Sequence, residues 1–208
     1  LTGGEPLLRR DLPELIRRVS RLLAEQKVVG WFQGRMEFGP RALGSRSIIA
    51  DARNPENWQR VNLKIKFRES FRPFAPVVLE ERMAEWFETG HPSPYMLFTA
   101  QVRPEKRATI PAVTHVDGSA RLQTLRREDH ELFYDLISQF DRDTGCPVII
   151  NTSFNVRGEP IVCTPEDAFR CFMATDMDFL AMGEFLIDKN RMTQRHKEVL
   201  LSEILQLD

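Results

Sequence analysis

Cysteine is scarce in this chain. Three thiols, Cys146, Cys163 and Cys171, stand among 208 residues with no C-x-x-C pair. So odd and sparse a count argues against a disulfide framework and against a structural zinc site. The expectation is buried, reduced thiols in a cytoplasmic setting. Charge excess is missing too. The net charge is −1, which disfavours general nucleic-acid binding but leaves room for a local basic cleft. No run of about 18 apolar residues occurs, so no membrane-spanning helix is expected. The first residues, LTGGEPLLRRDLPEL, show no basic-then-apolar signal pattern and begin with Leu1. The expectation is an excised C-terminal piece or a processed chain. There is no internal repeat, no low-complexity segment, and no P-loop pattern G-x-x-x-x-G-K-[ST].

What is present is an ordinary globular mixture, 42% hydrophobic and 28% charged. A chain of this length buries a sizeable core without staples. Asp11 to Gln26 carries Leu12, Leu15, Ile16, Val19, Leu22 and Leu23 at helical spacing, with Arg17, Arg18 and Arg21 on a solvated face. Lys27 to Phe32 reads as a buried strand. Gln33 to Leu43, with Gly34, Gly39 and Pro40, reads as a loop. A helix is predicted over Asn54 to Arg68, with Asn54 as cap and Pro55 at its first position. RPFAPVVLEE reads as extended, ERMAEWFE as a short helix, and MLFTAQV and RLQTL as strands. His130 to Thr144 is predicted helical, PVII a strand, and Pro165 to Ala174 a helix capped by Thr164. MDFLAMGEFLID reads as a strand or hairpin. Interleaved strands and helices give an α/β or α+β class. The expected organisation is an N-terminal helical extension (1–26), a main domain (27–188) and a polar, then helical, tail (189–208).

Four stretches carry chemistry. GRMEFGPRALGSRS places Arg35, Arg41 and Arg46 among glycines, where backbone approaches a ligand closely and guanidinium forks match phosphate oxygens. LKIKFRESFRPFAPVV sets Lys64, Lys66, Arg68 and Arg72 within nine residues. Such a cluster is either a basic helix end or an anion clamp. THVDGSARLQTL offers His115, Asp117 and Arg121. Asp117 and Gly118 read as a turn; two ligands are too few for a metal, and Arg121 is the more suggestive residue. NTSFNVRGEP follows an apolar strand with Asn151, Ser153 and Asn155 at its carboxyl end, where α/β sheets place ligands. Each stretch alone suits an ordinary loop or turn. Together they compose a cleft for a polyanion such as ATP.

At this point the residues show a resemblance. GWFQGRMEFGPRALGSRSIIADAR, FRESFRPFAP, HVDGSARLQT and NTSFNVRGEPIV resemble the C-terminal domain of the NodU/CmcH-type O-carbamoyltransferases, over about Lys27 to Asp188. The lysine-rich stretch and the Ser-x-Asn at Ser153 and Asn155 are also similar to the YrdC-like fold of threonylcarbamoyl-AMP synthases. The resemblance implies a YrdC-like twisted mixed sheet flanked by helices. It implies ATP-dependent activation of carbamoyl phosphate to carbamoyl-adenylate, with Mg²⁺ accompanying ATP. It also implies transfer to an acceptor hydroxyl in an N-terminal Kae1-like domain, expected to lie outside this sequence. Matched by position, Arg41, Lys66, Arg72, Arg121, Asn151 and Ser153 would hold carbamoyl phosphate and the adenylate phosphates. Asn155 joins them through the Ser-x-Asn pair, and Arg41, Lys66 and Arg72 carry the charge stabilisation. No protein ligand for the metal is legible. The alternatives are a threonylcarbamoyl-AMP synthase-like enzyme of tRNA modification and a non-catalytic nucleotide- or RNA-binding module; the near-neutral net charge weakens the RNA version.

Overall fold

The structure, a computed structural model, describes residues 12–67 and 74–192. The amphipathic stripe read near the N-terminus forms α1 (Leu12–Ala24), which buries Leu15, Ile16, Val19 and Leu23 and leaves Arg17, Arg18 and Arg21 exposed. β1 (Val29–Phe32) and β2 (Arg46–Asp51) pair antiparallel, Phe32 opposite Arg46. No strand was legible at β2. Arg46, Ser47 and Asp51 are buried polar residues, and polar letters at both ends mask a fully buried strand.

α2 (Pro55–Arg60) starts as its sequence indicates: Asn54 Oδ1 accepts from Glu56 N at 2.9 Å, with Pro55 at the first position. The helix predicted to Arg68 does not continue as α-helix. Val61–Ile65 is a π turn, closed by Lys66 N donating to Val61 O at 2.8 Å. β3 (Ala75–Leu79) follows, then α3 (Met83–Trp86), β4 (Phe87–Glu88), β5 (Thr99–Val102), β6 (Ser119–Arg121) and β7 (Gln123–Leu125). α4 (Glu131–Thr144) is capped by His130, whose Nδ1 accepts from Phe133 N, and ends at Gly145. β8 (Val148–Ser153), α5 (Pro165–Ala174), β9 (Phe179–Met182) and β10 (Phe185–Asp188) complete the described fold; of the two readings of MDFLAMGEFLID, strand or hairpin, β9 and β10 form the hairpin. Thr164 and Asp167 make a reciprocal capping box at α5. Of the tail, Lys189–Arg191 is a 3₁₀ turn; residues 193–208 lie outside the described residues.

The strands form a mixed seven-stranded sheet, β10-β9-β1-β2-β8-β3-β7, and a small sheet, β4-β5-β6. The strand read over RLQTL is therefore two strands in two sheets, switching at Leu122. α1 packs on α4, tied by Ser20 Oγ donating to Asp143 at 2.6 Å. The core runs from α1 and α4 across the sheet to α5. Cys146 and Cys171 are buried, but Cys163 is exposed, against the expectation of three buried thiols; it lies just before the α5 cap. Among the described residues no helix is long and apolar enough to cross a membrane.

Candidate functional site

The site sits at the carboxyl end of β8. Asn151 and Ser153 lie on that strand, paired with Ile49 and Ser47 of β2. The chain then turns, and Asn155 Oδ1 accepts from Ser153 Oγ at 2.8 Å. Lys66 follows the π turn and is only 4% exposed. The extra residue of a π turn re-aims whatever comes after it. Here it aims an ammonium at the β8 turn. Nζ donates to Ser153 O at 2.6 Å, to Asn155 O at 2.8 Å and to Asn155 Oδ1, with Ser153 Oγ at 3.2 Å. A buried cation held by this many oxygens fixes the turn that carries Ser153 and Asn155.

Arg41 rides on the loop between β1 and β2. Glu37 Oε1 accepts from Leu43 N and Ser45 N, both at 2.7 Å, so one carboxylate gathers the loop's far side. The base is gathered by Arg46. Its guanidinium donates to Gln33 O and Ser45 O at 3.0 Å and to Gly34 O at 3.2 Å. It lies over the Phe32 ring, 3.5 Å from the centroid. Burial holds the Arg46 pKa below its ordinary value, opposed by Glu37. Trp31 Nε1 donates to Gly44 O at 2.7 Å, and Gly44 has φ +126°. A Cβ there would stand 2.4 Å from the Phe133 ring, so only glycine suits this approach.

These elements enclose one hollow whose walls include Arg41, Ala42, Ala75, Arg121, Asn151 and Ser153. Among the described residues neither Arg41 nor Arg121 has a carboxylate partner, and burial together with the nearby Arg41 charge lowers the Arg121 pKa. Two guanidiniums facing one space without an anion repel each other, and an anion between them relieves the strain. The amide of Asn151, 1% exposed, donates through Nδ2 to Gln123 Oε1 at 2.7 Å and to Ala42 O at 3.2 Å. Its Oδ1 is buried without a partner.

Of the residues singled out in the sequence, Arg41, Arg121, Asn151 and Ser153 come together in this hollow. Lys66 and Asn155 adjoin it through Ser153. Arg72 and Arg68 lie outside the described residues. Arg35 is exposed, and Arg46 supports the loop rather than facing the hollow. Lys64 is exposed, 3.9 Å from Asp176. Asp117 closes the turn expected of it: Oδ1 accepts from Ser119 Oγ at 2.6 Å and Ser119 N at 2.9 Å, which brings its pKa down to about 2. Glu37 and Gln123 were not singled out. Gln123 carried a faint signal, an amide within a short apolar strand; Glu37 carried none, because its partners are backbone amides. Among the described residues no group of three metal-ligating side chains occurs. Among the described residues the hollow's walls hold two arginines, one side-chain amide and the hydroxyl-bearing Thr152 and Ser153, a donor set that does not suit Mg²⁺, which takes carboxylate and water oxygens.

A family model described as "Carbamoyltransferase C-terminus" matches residues 20–189. The nodulation protein NolO of Bradyrhizobium diazoefficiens is 49% identical over 80% of this chain and 31% of its own length. The chain spans about a third of the length of the curated relatives it matches. Among solved structures, Pyrococcus abyssi (P. abyssi) Sua5 complexed with L-threonine superposes with a TM-score of 0.61 at 15% identity, over 82% of this chain and 47% of that one. Full-length HypF in its phosphate- and nucleotide-bound form gives 0.57 at 19%, over 80% and 24%. These likenesses establish the YrdC-like mixed sheet flanked by helices. With most of its length under the family model, and with nearly half its residues shared with a nodulation protein over that span, the chain belongs to the carbamoyltransferase C-terminus family.

Proposed function

We propose that this chain activates carbamoyl phosphate with ATP, forming carbamoyl-adenylate. The observation that carries the reading is the pair of arginines with no carboxylate partner among the described residues, Arg41 and Arg121, facing one hollow walled by Asn151 and Ser153. Carbamoyl phosphate and ATP together bring about six negative charges, and two such anions approach only where cations oppose them. Arg41 neutralises charge at the α-phosphorus, and Arg121 holds the carbamoyl phosphate. Ser153 and Asn151 fix the carbamoyl group. Lys66 reaches a phosphate oxygen by exchanging one of its present acceptors for it, and Arg72 completes the clamp. Atom balance sets the sequence. Carbamoyl phosphate loses its phosphate to water, giving carbamate and inorganic phosphate. A carbamate oxygen then bonds to the α-phosphorus, the bridging bond to the β-phosphorus breaks, and pyrophosphate leaves. No side-chain nucleophile is needed; positioning and charge stabilisation suffice. Because the hollow's donor set does not suit Mg²⁺, no step is assigned to the ion.

In this reading residues 27–188 form the activating unit, 1–26 its N-terminal extension and 189–208 its tail, in a cytoplasmic setting. The acceptor hydroxyl belongs to a Kae1-like domain of the whole enzyme. The full-length HypF neighbour was solved in a phosphate- and nucleotide-bound form, which is in keeping with this reading. The test is exchange of labelled pyrophosphate into ATP. Exchange that depends on carbamoyl phosphate is expected. A folded, ATP-binding sample that exchanges nothing overturns the reading, and exchange supported by threonine with bicarbonate instead moves it to the threonylcarbamoyl-AMP synthase type.

A further inference from the structure

We propose that Gln123 is a positioning residue that makes the hollow select a ligand bearing an N–H donor beside its phosphate. The inference rests on the reading above and deepens it. Its basis is a chain of hydrogen bonds whose polarity has one solution. Leu43 O is a backbone carbonyl and only accepts. The end of the Gln123 amide that faces it, at 2.9 Å, must therefore be Nε2. The other end, Oε1, then faces Asn151 at 2.7 Å, so Asn151 must present Nδ2 there. A second backbone carbonyl, Ala42 O, meets the same Nδ2 at 3.2 Å. Both hydrogens of the Asn151 amide are used, and its oxygen is left over.

That oxygen is the buried, partnerless Oδ1 of Asn151, a residue that lines the hollow together with Arg41, Arg121 and Ser153. A buried carbonyl oxygen without a donor is costly, and native proteins rarely leave one unmet. The ionised phosphate of an acyl phosphate carries no O–H and only accepts, so it cannot meet it. An acetyl methyl cannot either. A carbamoyl amide can, while its phosphate lies against the Arg121 guanidinium. Buried polar groups left unpaired reject an analogue lacking the matching group more strongly than a change of size does. Gln123 touches no substrate in this scheme. With Ala42 O, it sets which atom of Asn151 the substrate meets.

The experiment is calorimetric titration of the 208-residue chain with carbamoyl phosphate, acetyl phosphate and inorganic phosphate. Wild type is expected to favour carbamoyl over acetyl phosphate at least tenfold. Gln123→Met fills the same space but removes the shorter of the two acceptor contacts that hold the Asn151 amide, leaving Ala42 O alone. It is expected to lower that ratio at least threefold while inorganic phosphate affinity stays within twofold. Gln123→Glu still accepts from Nδ2 and is expected to keep the preference, although it buries a carboxyl group. A ratio of two ligands on one variant is insensitive to the fraction folded. Equal binding of the two acyl phosphates by wild type overturns the inference and spares the proposed function. So does a preference undiminished in Gln123→Met, or lost in Gln123→Glu while phosphate still binds. Folded wild type that binds none of the three overturns both.

Discussion

At the scale of single residues, the site depends on cations with different partners. Lys66 is buried among four oxygens of Ser153 and Asn155, whereas Arg17 pairs with Glu14 at 2.9 Å in the open. Lys66→Ala is expected to weaken binding of ATP or carbamoyl phosphate by roughly 1.5–3 kcal/mol, the scale of a hydrogen bond to a charged group. Arg17→Ala removes a surface pair worth roughly 0.2–1 kcal/mol and should leave ligand affinity unchanged. Titration calorimetry on both variants checks this; unchanged affinity in folded Lys66→Ala removes the lysine from the site. The thiols divide in the same way. Burial pushes Cys146 up to about 12 and Cys171 up to about 11, while Cys163 is exposed. One thiol should react with a maleimide at pH 7.5 in native protein and three after denaturation, as counted by mass spectrometry. Fast labelling of two native thiols contradicts this burial.

At the scale of elements, the β1–β2 loop is held from both ends, by Glu37 and by Arg46, and it passes Phe133 with no room to spare. Gly44→Ala adds a Cβ at φ +126° and 2.4 Å from that ring. A destabilisation of about 1–3 kcal/mol is expected from overpacking and backbone strain. Urea denaturation measures it, and a midpoint within error of wild type would contradict the close approach. Legibility differed between elements for physical reasons. The caps of α2 and α5 could be read directly, because Asn-Pro and Thr-Pro with acidic first turns carry their own local signal. α1 and α4 were legible from their apolar stripes. β2 was not, because buried Arg46 and Asp51 look like loop letters until their partners are known. The π turn was not, because one inserted residue leaves no mark in composition. At the site, the arginines and the β8 amides stood out by chemistry, whereas Glu37 and Gln123 act on backbone carbonyls and amides that no side-chain pattern reports.

At the scale of the whole molecule, the contact between α4 and the site loop responds to pH. His130 caps α4 through Nδ1 and meets Ser45 Oγ through Nε2 at 3.1 Å. Both bonds suit the neutral ring. Burial, partly opposed by Glu37, lowers its pKa below the ordinary value of 6.5. Between the folded pKa and 6.5 the unfolded chain binds the extra proton, so stability rises with pH across that window. The contribution is complete above 6.5 and fades as pH falls beneath it. Urea melts at pH 7.5, 6.5 and 5.5 should show this slope, and His130→Asn, which keeps a capping side chain, should flatten it. A variant with the wild-type slope would assign the effect to other groups.

The two sheets meet at Leu122, a single residue with Arg121 on one side and Gln123 on the other. Consecutive Cα atoms of a trans peptide stand about 3.8 Å apart whatever the side chains do. The jaw that carries the charge and the jaw that orients the amide are thus riveted through a single intervening residue, by two such links. Widening the gap would mean tearing a β-ladder rather than turning a rotamer. The molecule behaves as a fixed gauge, and substitutions can change what its surfaces prefer far more readily than the span it measures.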